Sequence, residues 1–154
     1  DVRNNIFANK ITGGSTGIAH VSVYLPAAAT SAMNLTWNNN AYFFGTDAAT
    51  QGVAQAGATP GANFFAAFGA LAAYTSTLSP AATNDNASIA SSLAVPYLSN
   101  SDLHVGPSTA VVNAGTSISG VSFDIDGDAR MSPPEIGADE LDASANAIFK
   151  DGFE

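Results

Sequence analysis

Short alternations of apolar and polar positions, each closed by turn residues, run along most of this chain. Their period of two predicts strands rather than amphipathic helices. Asn5-Ile6-Phe7-Ala8-Asn9-Lys10-Ile11-Thr12 leads into Gly13-Gly14-Ser15-Thr16-Gly17, a turn. Ile18, Val21, Val23 and Leu25 include an alternating set, and Pro26 ends that strand because it has no N–H to give a ladder. Met33-Asn34-Leu35-Thr36-Trp37 alternates again, then Asn38-Asn39-Asn40 turns into Ala41-Tyr42-Phe43-Phe44-Gly45. Residues 46–61, small and polar with Pro60-Gly61 at the end, read as a loop. From 81 to 123 the short segments return as Ala87–Ala90, Ala94–Leu98, Asp102–Val105 and Ala110–Asn113.

One stretch breaks the period. Asn63 is a plausible N-cap, and Phe64, Phe68, Leu71, Thr75 and Leu78 follow at helical spacing on one face. The spacing predicts a helix over 63–78, stopped by Ser79-Pro80. A second feature is a repeated phrase. Asn-Asn-Ile-Phe at 4–7 returns as Asn-Asn-Ala-Tyr at 39–42, 35 residues later. Two readings stay open: two unrelated Asn turns, or stacked turns whose amides form a ladder.

Composition narrows the class. The 154 residues suit one domain of ordinary size. With 13 acidic and 4 basic side chains the net charge is −9, which argues against a nucleic-acid partner. Only 11% of residues are charged and 46% are apolar, so a core is affordable and the chain is unlike a disordered one. Cysteine is absent, which removes disulfides, thiol catalysis and thiolate metal sites together. The longest apolar run, Phe64–Tyr74, is about half of a bilayer span, so no membrane span is expected. Alanine supplies 30 residues, and small uncharged polar groups replace Lys and Glu, as suits a β-rich extracellular or cell-surface protein. The chain starts at Asp1 without Met or a signal pattern and reads as a mature or trimmed piece of a longer precursor. Charge is uneven: residues 124–154 hold nine acids and two bases, net −7, against −2 for residues 1–123. The expected organisation is therefore 1–123 as one body and 124–154 as an acidic cap and tail.

Several phrases resemble a known family. In order they are Asp102-Leu103-His104-Val105, Pro107-Ser108, Ala114-Gly115, Asp124-Ile125-Asp126-Gly127-Asp128-Ala129-Arg130 and Glu135-Ile136-Gly137-Ala138-Asp139-Glu140. Together they resemble the C-terminal end of secreted bacterial right-handed parallel β-helix repeat proteins, in the pectate-lyase-like group of solenoids. The sequence departs from that family's phrasing at 107–110, Asn113, Ala129 and Glu135 without losing register. The resemblance covers roughly residues 60–140, with 1–45 fitting generic coils. The tail Ile148–Glu154 is similar to a short C-terminal tail on exported proteins of Gram-negative bacteria. The resemblance implies an all-β, right-handed parallel β-helix with one short helical insertion and an acidic C-terminal cap. It also implies export and often carbohydrate-related biology, but not catalysis, because one fold hosts many functions.

Candidate chemistry is sparse. Asp124, Asp126, Asp128 and Glu135 fall at positions 1, 3, 5 and 12 of a calcium loop, which makes calcium the candidate cofactor. Against it, position 6 is Ala129 rather than Gly, and Pro133-Pro134 precede Glu135. The competing reading is a turn-rich cap in which Asp124 and Asp128 accept backbone N–H groups and Arg130 pairs with one of them. His20 and His104 are the only histidines, and Asp-Leu-His-Val suits either a His–Asp pair or a structural strand histidine. No G-x-S-x-G surrounds a serine. The lyases of the resembled superfamily use central-coil Asp ligands for calcium and an Arg or Lys as base, whereas Arg3, Lys10, Arg130 and Lys150 all lie near the chain ends. No catalytic set emerges. The leading expectation is a non-enzymatic exported module for self-association or surface attachment. Its partners would be upstream coils of the same precursor or a second copy stacked head to tail into a filament. The alternative is a carbohydrate-binding or carbohydrate-active domain using Trp37, Tyr42, Tyr24 and Tyr97 against a polysaccharide.

Overall fold

The two asparagine phrases lie side by side in the computed structural model, which describes residues 1–13, 20–25, 34–57, 63–79, 83–91, 95–107 and 110–141. Strands β1 (Val2–Arg3) and β2 (Ile6–Asn9) pair in parallel with β4 (Trp37–Asn38) and β5 (Ala41–Phe44). Val2 faces Trp37 and Ile6 faces Ala41, so the register equals the 35-residue repeat of the sequence. Asn4 and Asn39 both take the left-handed backbone, with φ of 57° and 52°. Asn can hold that conformation because its short amide bonds locally. The amides also bond each other: Asn5 Nδ2 donates to Asn40 Oδ1 at 3.1 Å. The same Oδ1 accepts the Asn5 N–H at 3.0 Å, and Asn40 Nδ2 donates to the Val2 carbonyl at 2.9 Å. The ladder reading of the repeat is the one the geometry follows.

Strand β3 (His20–Leu25) pairs in parallel with β6 (Gln51–Ala56), and β8 (Ile89–Ser91) pairs in parallel with β5. Strand β6 falls inside the segment expected to be a loop. Its six residues are buried throughout, so the run Gln-Gly-Val-Ala-Gln-Ala shows no alternation to read. Its amides are satisfied: Gln51 Nε2 donates to the Ile11 carbonyl at 2.8 Å, and Gln51 Oε1 accepts the Asp47 N–H at 2.9 Å.

The helix is shorter than the spacing predicts. α1 runs Phe68–Thr75, while Phe64–Phe65 form β7, antiparallel to β6. Asn63 is not its cap but a left-handed residue, φ 51°, that turns the chain into β7. Gly52 makes room for β7: a Cβ there would sit 2.7 Å from the Phe64 ring and 2.8 Å from the Phe65 carbonyl oxygen. Leu71 and Thr75 are the buried helix positions, and Leu78 is buried just beyond the end.

These pairings overturn the expected right-handed parallel β-helix. The strands form four separate sheets of two or three strands, two of which contain antiparallel pairs. Among the described residues the parallel register reaches a third strand in β2–β5–β8 alone: β4 has β1 as its one ladder partner, and the far side of β6 takes the antiparallel β7. Compact units divide between Val95 and Pro96, some thirty residues before the charge step at 124.

The first unit, Asp1–Val95, closes on a core of Leu25, Leu35, Trp37, Tyr42, Val53, Phe65, Leu71 and Leu78. Phe7 stacks on Trp37 and Tyr42 with ring centroids 6.0 and 5.6 Å away. Beneath these rings lies a buried polar chain. The Trp37 indole N–H donates to the Tyr42 hydroxyl, which donates to Asp85 Oδ1 at 2.7 Å. Thr75 Oγ1 donates to Asp85 Oδ2 at 2.9 Å, tying α1 to the turn before β8.

In the second unit, from Pro96 on, β9 (Tyr97–Ser99) and β10 (Asp102–Val105) form an irregular antiparallel hairpin. Ala110–Asn113, expected as a strand, is a turn held by the fully buried Val111. The Ile136 N–H donates to the Val111 carbonyl at 3.0 Å, and the Gly115 N–H to the Pro134 carbonyl at 2.8 Å. Gly115 permits that approach, since its Cβ would meet the Pro134 and Glu135 carbonyl oxygens at 2.8 Å. No helix among the described residues is long and apolar enough to cross a membrane.

Candidate metal centre

Strand geometry places Asp102 and His104 on the same face of β10, two residues apart. Asp102 Oδ1 accepts the backbone N–H of His104 at 3.1 Å and also contacts its ring Nδ1 at 2.5 Å. The other ring nitrogen, Nε2, lies 2.7 Å from Asp126 Oδ2. Asp126 is presented by an Asx-type turn. Asp124 Oδ1 accepts the N–H groups of Asp126 at 2.9 Å and Asp128 at 2.8 Å, while Oδ2 accepts that of Glu140 at 3.0 Å. Asp139 closes the group from beneath: it is 4% exposed, and its Oδ2 accepts the Val105 N–H at 2.7 Å. One ligand atom each from His104, Asp126 and Asp139 lie within 4.8 Å of one another.

The electrostatics follow from these contacts. Hydrogen bonds that its ring N–H groups donate to Asp102 and then Asp126 push the His104 pKa up to about 9, and His104 in turn holds Asp102 below the ordinary carboxylate value. For Asp124 burial works upward, but the N–H groups of Glu140, Asp128 and Asp126 outweigh it and the net shift is downward.

The four expected calcium ligands go to three places. Asp124 spends both oxygens on backbone N–H groups, as the turn-rich reading has it. Asp126 joins His104. The Asp128 carbonyl accepts the Asp124 N–H at 2.9 Å, closing the same turn. Glu135 lies in a buried carboxylate pair with Glu140, both under 5% exposed. Arg130 pairs with Glu140 at 3.3 Å rather than with Asp124 or Asp128. Glu135 Oε2 is buried with no hydrogen-bond partner among the described residues. Burial first, then the neighbouring Glu140, raises the Glu135 pKa to about 7. Among the described residues the cluster at ligand spacing is thus His104, Asp126 and Asp139, without Asp124, Asp128 or Glu135. Of its three residues, the Asp-x-His alternation signalled His104 and the calcium-loop spacing Asp126. Asp139 gave none, because its place depends on the fold of the 34 residues after Val105.

In the first unit an open apolar depression of about 330 Å³ is lined by residues that include Phe44, Thr46, Ala67 and Phe68. None of its lining side chains titrates, so it offers no acid–base chemistry. Comparison with protein-family models, with curated proteins and with solved structures finds no match.

Proposed function

We propose that this chain is a non-enzymatic exported structural module that associates with a second copy of itself by strand addition along the first unit. The supporting observation is that β1, β2 and β3 each stand at the edge of a sheet among the described residues. An edge strand carries a row of unpaired N–H and C=O groups, which proteins ordinarily blunt with Lys or Pro. Strand β2, Ile6-Phe7-Ala8-Asn9, holds neither and carries no charge. The Asn5 carbonyl accepts the Ala41 N–H at 2.8 Å, so the alternation of a ladder turns the Ile6 and Ala8 N–H groups away from β5. The low charge of residues 1–123 leaves little repulsion between copies.

Light scattering after size exclusion, over a concentration series, tests this reading. The parent chain is expected to form dimers or larger assemblies. Ala8→Pro removes one outward N–H at an exposed position that β5 does not use, and should shift the chain to monomer with little change in melting. A parent that stays monomeric, or an Ala8→Pro chain that assembles unchanged, overturns the proposal. The carbohydrate reading has lost two of its four aromatics, because Trp37 and Tyr42 are buried. Tyr24 and Tyr97 remain for it, and binding on a glycan array would reinstate it.

A further inference from the structure

We propose that His104, Asp126 and Asp139 form a binding site for a divalent transition-metal ion of the zinc type. The three donors come from separate segments, β10, the 124–128 turn and the buried Asp139, and meet within 4.8 Å. One imidazole nitrogen with two carboxylate oxygens is a borderline donor set, which suits zinc, cobalt or nickel better than calcium or magnesium. Two carboxylates match the charge of a divalent ion.

The surroundings do what the outer shell of a metal site does. Asp102 holds Nδ1 of His104, which sets the ring orientation and leaves Nε2 to face Asp126. The Val105 N–H fixes one oxygen of Asp139 at 2.7 Å, and the Asp124 turn fixes the backbone of Asp126. Bonds of about 2.0–2.1 Å to a tetrahedral ion set its donors roughly 3.4 Å apart. The 2.7 Å between Nε2 and Asp126 Oδ2 must therefore widen by about 0.7 Å, within the reach of one side-chain rotation. The ion takes the place of the proton between those two atoms, and the proton leaves to water. The His104 and Asp126 side chains are half exposed, so an ion can reach them, and a fourth coordination position stays open to water.

The full chain is titrated with zinc, cobalt and calcium at pH 8 by calorimetry. One equivalent of zinc should bind, at least tenfold tighter than calcium. His104→Gln should weaken zinc by more than tenfold and Asp102→Asn, acting through the ring, by about tenfold. His20→Gln should leave it unchanged. Nitrogen NMR of the parent is a readout independent of any variant: with two histidines in the chain, zinc should move the Nε2 resonance of His104 and not that of His20. Calcium binding as tightly as zinc, His104→Gln binding zinc like the parent, or an unmoved His104 Nε2 each overturns the proposal.

Discussion

Tyr42 is completely buried, and its hydroxyl is the middle link between two other buried groups. Tyr42→Phe keeps the ring stacked on Phe7 and deletes that oxygen alone. Two losses follow. The Trp37 indole N–H is left without its acceptor, and an unsatisfied buried donor costs about 1–3 kcal/mol. Asp85, 3% exposed, keeps Thr75 but loses a charge-assisted bond worth about 1.5–3 kcal/mol. The added apolarity of Phe offsets part of this, so we expect a net loss of about 3 kcal/mol. That is a large share of the 5–15 kcal/mol typical of a domain. Burial already raises the Asp85 pKa, and Tyr42 is one of the donors that hold it down. Without that donor the value rises further, so the cost of the substitution grows as pH rises and Asp85 must stay ionised in the core. Trp37 is the single tryptophan of the chain, so urea unfolding followed by its fluorescence reports this unit directly. Tyr24→Phe is the control: Tyr24 is 55% exposed and should change stability by less than about 0.5 kcal/mol. A Tyr42→Phe loss below about 1 kcal/mol with an unchanged urea slope would refute the network as a source of stability.

Glu135 makes the second unit less stable as pH rises. Its folded pKa of about 7 lies above the ordinary 4.5, so the native state holds a proton that the unfolded chain releases. Stability from this group is full below about pH 4.5 and falls between 4.5 and 7, by up to about 3 kcal/mol. Glu135→Gln should remove that fall and be about 2 kcal/mol more stable than the parent at pH 8. Paired melts over pH isolate the difference from His104 and Asp124, and parallel curves would contradict it. Gly52→Ala should cost about 2–3 kcal/mol, because its Cβ meets the Phe65 backbone oxygen at 2.8 Å as well as the Phe64 ring. The urea midpoint measures it, and a change within about 0.5 kcal/mol would show that β7 yields easily.

Local chemistry was legible wherever a residue type answers its own backbone. The Asn phrases announced their turns, and the parallel register of β1–β4 and β2–β5 follows one of the two readings their spacing left open. The alternation ending at Leu25 marked β3. What failed was whatever depends on a distant partner. Strand β6 is buried on both faces, so it lacks the period that marks a half-buried strand. Phe64 fits a helical stripe, but the space over Gly52 draws it, with Phe65, into β7 instead. The solenoid expectation extended a local register into a full stack, but β2–β5–β8 carries it no further than a third strand among the described residues, and β6 takes an antiparallel partner. At the candidate site the calcium spacing was real in sequence, yet Asp124 is consumed by its own turn and Glu135 by the buried pair with Glu140. Sequence spacing shows that carboxylates are close along the chain but not what their oxygens already hold.

The two units close their open backbone groups in chemically different ways. In the first the work falls largely to neutral amides. Asn5 and Asn40 bond each other, Asn38 Oδ1 accepts the Ala87 N–H at 2.8 Å, and Asn84 Oδ1 accepts that of Trp37 at 3.1 Å. In the second it falls to carboxylates: Asp124, Asp139 and Glu140 each accept a backbone N–H. An amide satisfies a strand end without adding charge, so the edge beside it can approach another chain at little electrostatic cost. A carboxylate doing the same job accumulates negative charge, and with Arg130 paired to Glu140 the Asp126–Asp139 side has, among the described residues of this unit, His104 alone to balance it. Low charge in the first unit and dense acid in the second thus follow from one structural need met by two side-chain types. Association fits the first solution, and cation binding fits the second.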